Sequence, residues 1–146
     1  MTEPPDGDRA IVEGARAALQ RSEVAHRQAA AIPDAPEQWA ADHAVLAEHA
    51  ALYEHRLAYF DPARRLDGSG FDALCEAEEA LRREAANWRS LSSAATQSWR
   101  DRFMVSAAEA ERSAHRVLAL RGRLVDRDRA DEMERLCRQP DLEADR

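Results

Sequence analysis

Five histidines stand among 28 acidic side chains in this 146-residue chain, so the first question is which of them share a helix face. His43 lies between Trp39 and Leu46 on an inward-facing apolar period, where Ala or Leu would be cheaper. A buried imidazole needs hydrogen-bond partners, and a buried carboxylate beside it favours its charged form. Glu78 is the matching oddity, a carboxylate at the apolar period of a later helix, and the two are expected to meet as a buried polar or ligand-binding pair. Glu23-Val-Ala-His26 has the Glu-x-x-His form found in di-metal helical bundles, which need two such motifs plus a Glu from each of two further helices. The nearest second motif is Glu111 with His115, four apart instead of three. Glu48-His49 and Glu54-His55 are adjacent and diverge by about 100° on a helix. Glu23, His26, Glu111 and His115 therefore form an alternative metal set, and the motifs call for no cofactor.

Other chemistries find less. Neither Cys75 nor Cys137 has a partner at metal or redox spacing, and no Gly-x-Ser-x-Gly elbow is present. Phosphate-binding glycine patterns are missing. Arg64, Arg65 and the Gly68–Gly70 turn could form only a small anion nest ahead of a helix.

The elements that must position these residues are all helical. The chain is 45% hydrophobic, 34% charged and only 5% aromatic, with 31 Ala, 21 basic residues that are all Arg, and a net charge of -7. Val, Ile, Thr, Tyr and Phe never alternate as a strand requires, whereas Ala, Leu, Arg and Glu favour helix. The length suits one domain over 1–146, with 1–7 and 140–146 expected to fray. A first helix is expected from about Asp8 to Ile32, with Ile11, Ala15, Ala18/Leu19, Ser22, Ala25, Ala29 and Ile32 facing inward. A second, from about Pro36 to Phe60, carries Trp39, His43, Leu46, Ala50, Tyr53, Leu57 and Phe60 in alternating steps of four and three, a heptad-like seam.

After the loop DPARRLDGSG, a third helix starts at Phe71 or Asp72 with Phe71, Leu74, Glu78, Leu81, Ala85 and Trp88 on its seam. Hydroxyls between Ser90 and Ser98 favour a break, and Ser98-x-x-Asp101 has the form of a capping box. A fourth helix follows from Trp99, and Phe103, Ala107, Ala110, Ala114, Val117 and Leu124 can line one face, with Gly122 in mid-run as a candidate end after Arg121. The fold class is all-α, an antiparallel four-helix bundle. The chain beyond Gly122 is either a short fifth helix to about Arg138 or the projecting end of a long last helix. With so much Ala inside, the core is expected to depend on Trp39, Tyr53, Phe60, Phe71, Trp88, Trp99 and Phe103.

Bulk properties narrow the function classes. No run of about 18 apolar residues exists, so no helical membrane span is expected. The acidic, Pro-rich start does not resemble an export signal, and two isolated cysteines suit reduced thiols, which points to the cytoplasm. Residues 1–60 hold 5 Arg against 10 acids, and residues 100–138 hold 10 Arg against 8 acids. The late Arg residues alternate with Asp and Glu, which reads as intrahelical ion pairing and not as a phosphate track; nucleic acid is therefore not the expected partner. The function expected from these features is a non-enzymatic helical interaction module with a protein partner. It would form a homodimer through an arm bearing Leu124, Val125, Met133 and Leu136. A metal- or ligand-binding bundle and a nucleic-acid-linked regulator are the alternatives.

Overall fold

A computed structural model describes residues 6–94 and 97–138. Among them are four helices and no strand: α1 (Asp6–Ala30), α2 (Glu37–Ala58), α3 (Gly68–Ala94) and α4 (Gln97–Arg138). Consecutive helices run antiparallel through short connections. The closest packing is α3 on α4 and α1 on α2, with α4 also against α1. Packing of α2 on α3 is lighter, and α2 and α4 lie diagonally across the bundle.

Each boundary has a local cause. Beyond Ala30 the chain turns through Asp34 at φ 65°, a left-handed conformation that Asp tolerates better than most residues. Pro36, extended at φ -55° and ψ 144°, precedes α2, and its carbonyl accepts the Ala40 N–H at 3.2 Å. α1 thus begins and ends about two residues ahead of expectation, and includes residues 6 and 7. Residues 1–5 and 140–146, expected to fray, lie outside the described residues.

α3 begins at Gly68, three residues ahead of Phe71. Asp67 caps it, its Oδ1 accepting from Gly70 N–H at 2.7 Å and from the Ser69 hydroxyl at 2.9 Å. These bonds hold the Asp67 carboxyl below the usual carboxylate range. The anion nest is thereby filled from within the chain. At the far end, Ser92 and Ser93 donate to the carbonyls of Arg89 and Ser90, both at 2.7 Å, as hydroxyls do in a closing turn. α3 is described to Ala94 and α4 from Gln97; residues 95 and 96, where the break expected within Ser90–Ser98 would fall, lie outside the described residues. Ser98 lies inside the first turn of α4, so it is not the cap of a capping box.

α4 is continuous over 42 residues, so no fifth helix starts after Gly122. Leu120 and Leu124 are both buried, one on each side of Gly122, and their packing carries the helix across a residue costing about 1 kcal/mol in a helix interior. The loop after α2 folds under the end of α4. Leu66 N–H donates to Asp128 at 2.7 Å, and Arg127 donates to the carbonyls of Pro62 at 2.6 Å and Arg64 at 2.7 Å. Burial pushes the Asp128 pKa up, but the Leu66 N–H and Arg127, whose Nε donates to Asp128 Oδ1 at 3.0 Å, hold the carboxyl below its ordinary range. Only the last turn or two, from Met133, stands clear of the loop.

The core is built from small residues and Leu. Eleven of its twenty buried hydrophobic residues are Ala, which lets helices approach closely but buries little area each. Leu19, Leu57, Leu74, Leu81, Leu120 and Leu124 supply the bulk, and among the described Phe, Tyr and Trp side chains only Trp88 is fully buried. The aromatic core expected from the sequence is thus smaller in fact: Phe71 and Trp99 are 39% and 48% exposed, and Trp39, Tyr53, Phe60 and Phe103 are only partly buried. Seams are also rotated. α1 buries Val12, Ala15, Leu19, Ser22, His26 and Ala29 in steps of three and four, with Ile11 and Ala25 at the edge and Ile32 outside. α3 buries Ala77 in place of Glu78.

Candidate functional site

The rotation of these seams brings three ionisable side chains into the core from three different helices. His26 on α1, His43 on α2 and Glu84 on α3 are 0%, 4% and 4% exposed. His26 Nε2 lies 2.6 Å from Glu84 Oε2, and His26 Nδ1 lies 2.8 Å from His43 Nδ1. Each residue sits four positions from another core member on its own helix. Ser22 precedes His26, Trp39 precedes His43 and Trp88 follows Glu84, the spacing that puts side chains on one helix face. Trp88 stacks on the His26 ring at 4.6 Å and 14°. Trp39 leans on His43 at 4.4 Å, and its indole N–H donates to the Ala29 carbonyl at 2.8 Å, pinning the start of α2 to the end of α1. Phe103 of α4 closes the far side of Trp88 at 5.5 Å.

The geometry orders the protons. A carboxylate accepts only, so His26 Nε2–H donates to Glu84. A contact between two ring nitrogens holds a single hydrogen, so the two rings cannot both carry a full set of protons without breaking it. No buried side-chain nitrogen or oxygen among the described residues lacks a hydrogen-bond partner. Among the described residues His43 Nε2 makes no hydrogen bond, and since no buried side-chain nitrogen there lacks one, this atom is where the chain of rings reaches solvent. Burial pushes the His43 pKa below its ordinary value, and the neighbouring His26 adds to this, while Asp42 and Glu84 pull the other way.

This arrangement can hold a proton between three helices and exchange it at His43. Both His26 nitrogens are engaged in these hydrogen bonds. Among the described residues no group of three or more His, Cys, Asp or Glu side chains is arranged to hold one.

The residues singled out from sequence are distributed differently. His43 is buried, but its partner is His26 and not Glu78. Glu78 pairs instead with Arg82 at 3.2 Å and with Arg121 at 3.9 Å. Glu23 turns outward to Arg27 at 3.1 Å, away from the inward-facing His26. Glu111 is engaged by Arg89 of α3, while His115 is exposed. The four residues of the metal set therefore do not converge. Of the arm, Leu124 is 1% exposed within the bundle's own core and Val125 is half-buried, leaving Met133 and Leu136 at 61% and 51%.

Two features escaped the sequence reading. Glu84 follows Leu81 by three and precedes Trp88 by four, and His26 continues the Leu19–Ser22 spacing, so both sit at seam positions that hydropathy alone passes over. The other is a second apolar line on α2. Val45, Leu52 and Tyr59 recur every seventh residue and are 49%, 43% and 77% exposed. Leu52 is nine residues past His43, about 180° around the helix from the buried side. No protein-family model, curated protein or solved structure matches the chain, so its function has to be read from these residues.

Proposed function

We propose that the chain is a non-enzymatic helical interaction module that works by pairing with a second copy of itself through the outer face of α2. The observation that carries this reading is the exposed apolar line Val45, Leu52 and Tyr59, opposite the buried side of α2. A seven-residue apolar recurrence is the pattern by which two helices pack. The Glu84–His26–His43 chain serves this module as an internal staple that fixes the rotation of α1, α2 and α3, and hence which residues α2 turns outward. The free thiols of Cys75 and Cys137 support placing the module in the cytoplasm.

A ligand-binding bundle is supported less well, because the interior His and Glu atoms already satisfy one another. Nucleic-acid binding is disfavoured by the α4 arginines, since Arg121, Arg123, Arg127, Arg135 and Arg138 face Glu78, Asp8, Asp128, Glu132 and Glu134.

Light scattering across a concentration series tests the proposal. The natural chain is expected to move from 16.4 kDa toward twice that mass, and Leu52→Glu to remain a monomer with unchanged helicity. Equal masses for the two proteins at every concentration would remove α2 from the interface.

A further inference from the structure

The two halves of α2 are held by different means. In the C-terminal half Leu57 is buried in the main apolar cluster, with Tyr53 and Phe60 packed against it. Glu54 accepts from Arg16 Nε and from Gln20 Nε2 of α1, both at 3.0 Å, and Arg56 pairs with Glu76 of α3. The N-terminal half, residues 37–50, buries only His43, Ala47 and Ala50, and neither alanine is part of that cluster. Among the described residues its polar ties to other helices are two, the Trp39 indole N–H on the Ala29 carbonyl and the contact of His43 with His26. We propose that the second of these is an acid-released latch: when both rings become imidazolium, the N-terminal half of α2 leaves α1 and α3 while the C-terminal half stays docked. The latch builds on the reading of the Glu84–His26–His43 chain as a staple and does not depend on what α2 pairs with.

The proton count supplies the release. The 2.8 Å between His26 Nδ1 and His43 Nδ1 holds one hydrogen, and His26 Nε2–H is committed to Glu84. One imidazolium shared between the two rings keeps every contact. A second sets N–H against N–H and like charges together, so the contact opens. His26 is fully buried and keeps the Glu84 carboxylate, so the ring that leaves is His43, whose Nε2 already reaches solvent. The groups facing His43 are His26 from α1, Glu84 from α3 and Asp42 of α2 itself, while α4 lies diagonally across the bundle. Burial and His26 oppose a charge on the ring more than Asp42 and Glu84 favour it. The latched ring therefore resists protonation, whereas the released ring, in water, takes its proton near the ordinary 6.5. Acid favours release, by up to about tenfold in the opening equilibrium for each pH unit below 6.5. A helical segment shorter than about 15 residues is marginal by itself, so residues 37–50 lose their helical hydrogen bonds as they leave.

Amide hydrogen exchange from about pH 7.5 to about pH 5, corrected for the intrinsic rate at each pH, tests the latch. Protection at residues 43–50 is expected to fall below pH 6.5 by up to about tenfold per unit, while protection at residues 55–58 stays level. In His43→Asn, whose side-chain amide still offers His26 a donor but takes up no proton, both segments are expected to stay level. A fall of equal size in both segments would show that the molecule opens as a whole, and no fall below pH 6.5 would show that the contact survives acid; either result overturns the latch. A fall that persists in His43→Asn would put the proton on another group and overturn it as well. The urea midpoint of His43→Leu reads the staple at neutral pH, so failure of the latch and failure of the staple are told apart.

Discussion

His26 commits one ring nitrogen to Glu84 and the other to His43, so losing either neighbour strips a fully buried atom of its partner. An unsatisfied buried donor or acceptor costs about 1–3 kcal/mol, and His43→Leu is expected to lower unfolding free energy by about that much. The urea midpoint would fall with no change in slope. Replacing His26, His43 and Glu84 together by Leu removes the three buried ionisable side chains at once, and stability is expected to return to the natural level or above it. A single His43→Leu as stable as the natural chain would show that the contact is not a staple. The pH dependence follows from His43, whose pKa is lowered in the folded chain from 6.5. The unfolded chain takes up a proton there first, so this contribution is fully present above pH 6.5 and declines as pH falls from 6.5 toward the lower folded value. The Asp67 and Asp128 carboxyls are held below their ordinary range, so their own losses begin only at more acid pH. His43→Leu is expected to flatten the loss of stability just below pH 6.5; an equally steep loss in both proteins would place the titrating group elsewhere.

Along α4, tertiary packing overrides local preference. Gly122 is exposed, lies mid-helix, and a Cβ added there would meet nothing within 4 Å. Gly122→Ala is expected to stabilise the chain by about 0.5–1 kcal/mol, through the higher helix propensity of Ala and a less flexible unfolded chain. Thermal unfolding would show this as a higher Tm; a lower Tm would mean the helix needs the freedom of glycine there. Gly122 also shows what the sequence could reveal. The α2 seam and the α4 face were legible because apolar side chains recur along them at helical spacing. The continuity of the helix past Gly122 was left between two alternatives, because it depends on Leu120 and Leu124 meeting partners from other helices. The polar site was half legible for a related reason. His43 stood out on a strong seam, but Glu78 and Glu84 flank Leu81 at three residues either side, and periodicity along one helix does not choose between them. That choice depends on the axial level at which α2 and α3 pack. His26 entered the alternative metal set through its Glu-x-x-His motif while Ala25 was placed on the seam, although the alternating steps through Leu19, Ser22 and Ala29 pass through His26.

At the scale of the whole molecule, the end of α4 divides into a part that builds the bundle and a part that does not. Leu124 is core, Arg127 and Asp128 hold the α2–α3 loop, and Glu132 lies 3.7 Å from Arg65 of that loop. Met133 and Leu136 lie beyond this and are exposed. Ending the chain after Arg121 would therefore remove a buried Leu and both loop anchors, and is expected to cost most of the stability or the fold itself. Such a protein says nothing about self-association, because it changes the bundle as well as the arm. Ending the chain after Glu132 separates the two roles. That protein is expected to unfold within about 0.5 kcal/mol of the full chain, as exposed changes usually do, and to reach the same dimer mass at the same concentration. Circular dichroism melts and light scattering read the two properties independently. A natural melt with only monomer mass would move the interface from α2 to the arm, with Met133 and Leu136 as its contacts. The same dimer after truncation leaves Val45, Leu52 and Tyr59 to account for the association.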